Sequence, residues 1–595
     1  MYHSSRILTV TVPIGADMPK RSIALRTTIT LVTLTMIGQT YAGVARAERL
    51  SPGASAAART AAALPRPEAP PPAFAAAPQA FGAPESLPAT GQTGQTGPTG
   101  PTGAAGASPA PDAVAAAGPA LNWRRDQSST YRAVAFSADQ GTAGKHADSA
   151  SVGGISWETG AGKTYLIPAL EELGFLTLLN AYDRTVQHNK REEDGERTYT
   201  TDLSTFWGHL RKQNWTYDTD PFNVNQFGHP YQGASMYGLA RSTGLGFWES
   251  LAYSNAGSYL WEMGGENSRP SVNDIITTGN SGSLLGEALF RMSELVLRND
   301  GPDPDNWHEL GAAVLSPTTA FNRWAFGERF KTIFPSHAPA TFWRIRLGAN
   351  VSGNSEQTAA LDFQMSYGLP GKPGYTYQRP FDHFDFQMGG LSKANNPLNY
   401  VLLRGLLYGR DYQAGENYRG IWGLYGGYDY LSPTAFRIST TALSLGTTGQ
   451  YWVAPGIALQ GTYLGGVGFG AAGKTPTPTG DRDYHYGVTP QTLLSLRLLF
   501  GNRVALEVIG RGYYVSGTGS DNAEGSELIA RLNTGITVRV FRRHGIGLQF
   551  VESARDAHYG NQTGTHQSDG TVSIFYTFLG DSHFGAVEWR DLGSH

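Results

Sequence analysis

His229, Glu262, Glu266 and Asp274 fall within one short stretch whose other residues are mainly Gly, Ser, Leu and aromatics. Carboxylates in such surroundings cost free energy unless they are paired, so they mark either a site or a buried polar network. Glu262 and Glu266 are four apart and share a face if their helix is continuous. Together with His229 they are enough to hold a hard divalent ion or to act as an acid/base pair. His229, Glu262, Glu266 and Asp274 are therefore the candidate catalytic residues, no organic cofactor is implied, and a divalent cation is the one inorganic partner their chemistry suits.

The same residue types also build packing networks. Glu287 and Arg291 stand in ion-pair register, and Arg241 has Glu249 or Glu262 as prospective partners. Arg241, Glu249, Glu287 and Arg291 read as a structural polar network. Gly264-Gly265 can break the helix before Glu266, and His229, ahead of Pro230, falls outside helical geometry as a prospective cap.

Two other strings resemble nucleotide sites and fail. Gly160-Ala161-Gly162-Lys163-Thr164 looks like the end of a P-loop, but Trp157 occupies the place of the required first glycine and no buried strand precedes it. Gly468 to Gly473 spells GxGxxG, yet it ends an amphipathic strand and opens no helix. No nucleotide is expected. A formal net charge of −3 leaves no basic footprint for nucleic acid. The absence of cysteine removes disulfides, thiolate nucleophiles and Cys-based metal sites, which confines any catalysis to His, carboxylate, Ser and Arg.

These residues need elements to hold them. Between about residues 163 and 334 the apolar period is helical: Leu166-Ile167, Leu170, Leu173-Gly174-Phe175 and Leu178-Leu179 form one stripe, and similar patterns cover Gly233 to Gly264 and Asn273 to Arg298, with Ser271 as N-cap. Their Gly, Ser and Ala content favours close helix approach. None has ~18 uninterrupted apolar residues, because Glu249, Glu262 and Glu287 intervene.

After Phe334 the period becomes two. Trp343, Ile345, Leu347, Ala349 and Val351 alternate with Arg344, Arg346, Gly348 and Asn350, and about twelve such segments run from Thr341 to Leu579. Many have the length a tilted membrane strand needs. One face is expected to meet lipid or a core and the charged face to meet water. The last good strand ends at Phe578-Leu579, leaving Phe584, Ala586, Glu588 and Arg590 either as a further strand or as a tail.

The amino terminus reads as an export signal, with Lys20, Arg21 and Arg26 before apolar Thr27 to Ile37 and a cleavage pattern at Ala45-Arg46-Ala47. Met18 is the expected true start. Residues 48–120 form an Ala/Pro/Gly-rich tether, with glycine at every third position from Gly91 to Gly106, too poor in large apolar groups to fold. Much of the surplus among 75 Gly and 34 Pro resides there.

The string from Phe222 to Leu297 resembles the bacterial envelope family known as domain of unknown function 3943. The shared elements are His229 to Gly233 (HPYxG), Ala240-Arg241, Phe247 to Ser250 (FWES), Trp261-Glu262, Glu266, Pro270-Ser271 with Asp274, and Gly286-Glu287. Leu239 departs from the family's alanine. The resemblance runs from about Leu166 to Leu297 and implies exported, outer-membrane proteins with no assigned activity.

The expected architecture is mainly β with a helical module: a signal peptide over 1–47, the tether over 48–120, an irregular lead-in over 121–162, a small α-helical domain over 163–334, a C-terminal antiparallel outer-membrane-type β-barrel of about twelve strands over 335–580 and a tail over 581–595. Its partners are outer-membrane lipid and the outer-membrane assembly machinery. The helical module is expected to plug the barrel or pack at its periplasmic mouth, which gives a structural or plugged-channel role. The alternatives are an envelope hydrolase or lipid-modifying enzyme using the His/carboxylate cluster, and an adhesion role carried by loops or tether.

Overall fold

The computed structural model describes residues 154–589 apart from 189, 191–194, 196, 300–302, 353–356, 393–396, 434–435, 474–483, 518–524 and 560–563. The export segment, Met18, the tether with its glycine triplets, most of the lead-in and the tail from 590 lie outside the described residues.

The period-two segments form β1 (Thr341–Ser352), β2 (Gln357–Tyr367), β3 (Phe384–Leu391), β4 (Leu398–Ala414), β5 (Tyr418–Leu431), β6 (Ile438–Ala454), β7 (Ile457–Ala472), β8 (His485–Phe500), β9 (Val504–Ser516), β10 (Gly525–Phe541), β11 (His544–Tyr559) and β12 (Thr565–Leu579). Each pairs antiparallel with its neighbours, and β1 closes on β12 from Arg344↔Leu579 to Ser352↔Thr571. Closure removes every sheet edge, which is the condition for strands to cross a bilayer.

Alternation fixes the two faces. Leu347, Val351, Leu361, Leu445, Tyr463, Leu494, Val508, Leu532, Leu548 and Ile574 point outward and are exposed, forming an apolar belt. The other face is lined by charge but does not simply meet water. Arg344 of β1 reaches across the lumen to Glu507 of β9 at 2.7 Å, where Arg497 of β8 also bonds at 2.9 Å. Arg404 and Asp429 pair beneath Tyr513, and Arg555 pairs with Glu527 at 2.7 Å. The barrel is narrow enough for opposite walls to neutralise each other.

Among the described residues, the preceding chain forms seven helices of ten residues or more: α1 (Leu166–Val186), α2 (Leu203–Lys212), α3 (His229–Ser242), α4 (Phe247–Gly264), α5 (Gly282–Arg298), α6 (Asn306–Leu315) and α7 (Pro317–Phe326). No helix among the described residues is long and apolar enough to cross a membrane. Wide π-helical turns, Val224–Gly228 and Ile275–Ser281, lead into α3 and α5. Asp202 caps α2 by accepting from the Ser204 and Thr205 amides, and Ser271 accepts from the Asp274 amide as the spacing predicts. α3 and α5 form the centre of the module, where Gly233 and Gly282 let their backbones touch.

The module does not enter the lumen. On β5, Asp429 points inward to Arg404, so Gly426, Tyr428 and Tyr430 point outward, and these are the residues that meet the helices. Tyr428 Oη donates to the Gln226 carbonyl, Leu284 lies against Gly426, and Phe222 packs on Tyr430. Outward-facing Tyr367, Phe384, Leu403, Leu407, Thr441, Phe469 and Tyr486 complete the contact across β2 to β8. The expectation of a lumenal plug or a cap on the periplasmic mouth is thus corrected: the helices are laid along the outer wall, because on these strands the outward positions carry the aromatics and small residues that fit them.

The tail is the element that enters the lumen. Its described residues, 581–589, form no strand. Gln460 donates to the Gly585 carbonyl at 2.7 Å, Gln450 to the Val587 carbonyl at 2.7 Å, and Arg497 to the Phe584 carbonyl. Phe584 and Val587 are buried with Phe342, Trp452, Leu499 and Leu579 at the end where β1 starts and β12 stops.

The α1 stripe is also turned over. Leu166, Leu170, Leu173 and Leu178 are exposed, while Glu172, Leu176, Leu179 and Asp183 face the module. Periodicity finds a stripe but not which way it faces, and here the inward face is the one carrying the buried carboxylates.

Candidate functional site: a buried histidine and carboxylate cluster

α3 begins at His229, which has helical backbone angles, continues directly from the π-helical turn and is no external cap. Pro230 occupies the first turn, where a missing N–H costs nothing. Asp274 ends the one-turn helix Val272–Asp274 and is followed by the second π-helical turn. Each of the two residues thus abuts a π-helical turn, an irregularity frequent at functional sites.

The structure brings them together. His229 Nε2 lies 3.7 Å from Asp274 Oδ1. With Asp218 they offer three ligand-type atoms all within 4.8 Å of one another. His229 is only 8% exposed and its Nδ1 has no hydrogen-bond partner. Asp218 is partly exposed.

Asn273 ties the acids to each other. Its side-chain oxygen accepts from the Asp218 amide at 2.8 Å and from Ser271 Oγ at 2.7 Å, and its Nδ2 donates to Asp274 Oδ1 at 2.7 Å. Glu262 stays on α4, with Oε2 accepting from the Ser271 amide at 2.6 Å. Glu266 lies beyond the helix end, as the Gly264-Gly265 pair allows, and accepts from Trp261 Nε1 and Ser268 Oγ. It therefore does not share a helical face with Glu262. Lys190 pairs with Asp220 at 2.7 Å beside the cluster.

Burial is the main force on these acids. It pushes Glu262 well above the usual carboxylate range, reinforced by Asp274 and Glu266. It raises Asp218 likewise, reinforced by Asp220 and Asp274. Asp274 rises to about 6, held back by His229 and Ser271. Asp183 rises to about 7 through burial, with Glu266 adding to the shift. Crowded carboxylates of this kind suit a cation or a shared proton.

Asp218, Asp220, Asp183 and Lys190 are the members that sequence reasoning missed. Asp218 and Asp220 sit in an irregular segment just ahead of Pro221, and their Asp-x-Asp spacing eleven residues before His229 is the signal that was there to read.

Three of the four residues expected to form a polar network, Arg241, Glu287 and Arg291, are joined to one another. Glu287 accepts from Tyr237 Oη at 2.7 Å, Arg241 Nε at 2.8 Å and Arg291 Nε at 2.7 Å. Arg291 goes on to Asp382 and the Pro380 carbonyl, fastening α5 to the barrel. Arg241 lies over the rings of Phe290, Phe334 and Trp157. Arg241 pairs with neither Glu249 nor Glu262. Glu249 sits apart at the start of α4, bonded to Lys163, Tyr165 and the Gly246 amide. Burial pushes it up, but these partners outweigh that and hold it down to about 2. The P-loop-like string is simply a turn that carries Lys163 to this pair.

Fold and site define an outer-membrane-type barrel carrying an external helical module with a buried polar site. Residues 214–318 match the family model of domain of unknown function 3943, which spans both π-helical turns and most of the acidic cluster. No curated protein matches the chain. Among solved structures the chain is similar to the outer membrane protein OmpT of Vibrio cholerae (7% identity, TM-score 0.18, covering 40% of this chain and 96% of that one). It is similar to the outer membrane channel DcaP of Acinetobacter baumannii (7%, 0.21, 40% and 96%) and to the Pseudomonas putida toluene transporter TodX (10%, 0.18, 42% and 92%). Likenesses this distant carry no argument about function.

Proposed function

We propose that this is an outer-membrane protein whose barrel is a closed, non-conducting scaffold that holds the helical module against its outer wall. The observation that carries the reading is the tail: residues 584–587 are hydrogen-bonded to Arg497, Gln460 and Gln450 inside the barrel. Behind the tail, ion pairs span the lumen, as between Arg344 and Glu507. The role is structural, with the barrel as anchor. The protein reaches its membrane by export and insertion through the outer-membrane assembly machinery, and its apolar belt meets lipid there. In planar bilayers the full chain is expected to give no steady conductance, whereas a chain truncated after Gly580 gives openings. A steadily open wild-type channel rejects the closed-scaffold reading.

A second reading, an envelope hydrolase or lipid-modifying enzyme, draws on the convergence of His229 and Asp274 with Asp218. A hydrolase predicts release of acyl or phosphoryl groups from outer-membrane lipid that Asp274→Asn abolishes.

A further inference from the structure

We propose that Asp218, His229 and Asp274 form a binding site for one divalent transition-metal ion of the Mn²⁺ or Zn²⁺ type. The inference concerns binding alone and holds whether or not the module turns over a substrate.

Three observations carry it. The first is geometry: two carboxylates and an imidazole from three separate segments place their ligand atoms within 4.8 Å of one another. Ligands each ~2.1 Å from a common ion stand at most about 4.2 Å apart, so these side chains need to close by only about half an ångström to hold one. The second is the imidazole itself. His229 is more than nine-tenths buried, its Nδ1 has no hydrogen-bond partner, and its Nε2 stands 3.7 Å from the Asp274 carboxylate, beyond hydrogen-bond distance. A metal ion seated between ring and carboxylate bonds to both. The third is the support around the ligands. Asn273 bonds to the backbone of one ligand residue and the carboxylate of another, the outer-shell arrangement that orients metal ligands.

Charge points the same way. Asp274 and Glu266 stand close enough to Asp218 and Glu262 to interact with them electrostatically, so negative charge is crowded around the site. Lys190, the nearby cation, is bonded to Asp220. Glu262 is held by the Ser271 amide and Glu266 by Trp261 and Ser268, so both stay fixed beside the ligands as further acidic groups. Mixed imidazole and carboxylate donors favour Mn²⁺ or Zn²⁺ over Mg²⁺, which prefers oxygen, and over Cu⁺, which prefers sulfur.

The test uses the full chain in detergent, washed with a chelator and then titrated with Mn²⁺ followed by its paramagnetic resonance. One ion per chain is expected, displaced by Zn²⁺, with affinity weakened at least about tenfold in Asp274→Asn and His229→Ala and unchanged in Glu249→Gln. Wild-type protein with an intact melting transition that takes up neither ion overturns the proposal, as do folded variants that keep wild-type affinity. If the variants fail to fold, the wild type still decides: electron spin-echo modulation from a coordinated imidazole nitrogen must be present on bound Mn²⁺, and its absence overturns the site.

Discussion

Gly233 on α3 and Gly282 at the start of α5 touch backbone to backbone. A Cβ built on Gly282 falls 2.6 Å from the Gly233 Cα, and one on Gly233 falls 1.7 Å from the Thr278 carbonyl oxygen. No side chain can yield at either contact, so the two helices would have to separate. Gly233→Ala and Gly282→Ala should each cost stability at the upper end of the roughly 1–3 kcal/mol typical of overpacking. Gly174→Ala, with nothing within 4 Å of its Cβ, is the control and should melt like wild type.

Glu287 answers two buried arginines at once, and its removal leaves both uncompensated. Glu287→Ala should destabilise the module by roughly 3–5 kcal/mol, the cost of stranding a buried charge. Glu249, about a third exposed in its pair with Lys163, should cost at most about 1 kcal/mol when replaced by Ala. Paired denaturant titrations, read by tryptophan fluorescence, compare the two. Equal losses would mean that the central network is no more buried than the surface pair.

How far the sequence foretold this molecule depends on what kind of information each feature needs. Strand positions from Thr341 to Leu579 follow from period two, a local property. Ser271 as cap and Glu287–Arg291 as a pair follow from spacing along one helix. Residue type alone makes His229 and Asp274 candidates, since charged groups among Gly and Leu demand partners, but their pairing with each other needs the fold. Asp218 escaped because it lies in no periodic element. The direction of α1 escaped because an apolar stripe facing lipid or solvent has the same period as one facing a core. The docking of the module on the outer wall rests on which side of β5 Tyr428 and Tyr430 occupy, and that follows only once Asp429 is known to meet Arg404.

Glu294 supplies a pH dependence inside the helical module. Buried on α5, it accepts from the Phe334 amide at 2.5 Å. Burial pushes its carboxyl up to about 7, although Arg323 and the Phe334 amide pull the other way. A folded value above the unfolded 4.5 means that the folded chain holds the proton more tightly. The stability it contributes is therefore complete below about pH 4.5 and is lost as pH rises through about 7. Melting temperatures at about pH 5 and about pH 8 should fall in wild type by more than in Glu294→Gln, whose amide carries no titrating proton. An identical fall in both proteins would assign the pH dependence elsewhere.

Gly426 and Gly427, neighbours on β5, separate external from lumenal docking. Gly426 faces out, where a Cβ would lie 2.8 Å from Leu284 Cδ2; Gly427 faces in, where a Cβ would lie 2.7 Å from Arg404 Nη1. A bulky side chain at Gly426 must therefore lift α5 off the wall while leaving the lumenal Arg404–Asp429 pair untouched. Gly426→Leu is expected to expose residues 154–334 to protease while the barrel keeps its heat-resistant electrophoretic mobility. Gly427→Leu should do the reverse, loosening the barrel around Arg404 before the module is cut. If Gly426→Leu instead weakened the barrel and spared the helices, β5 would face the opposite way and the module would belong inside the lumen after all.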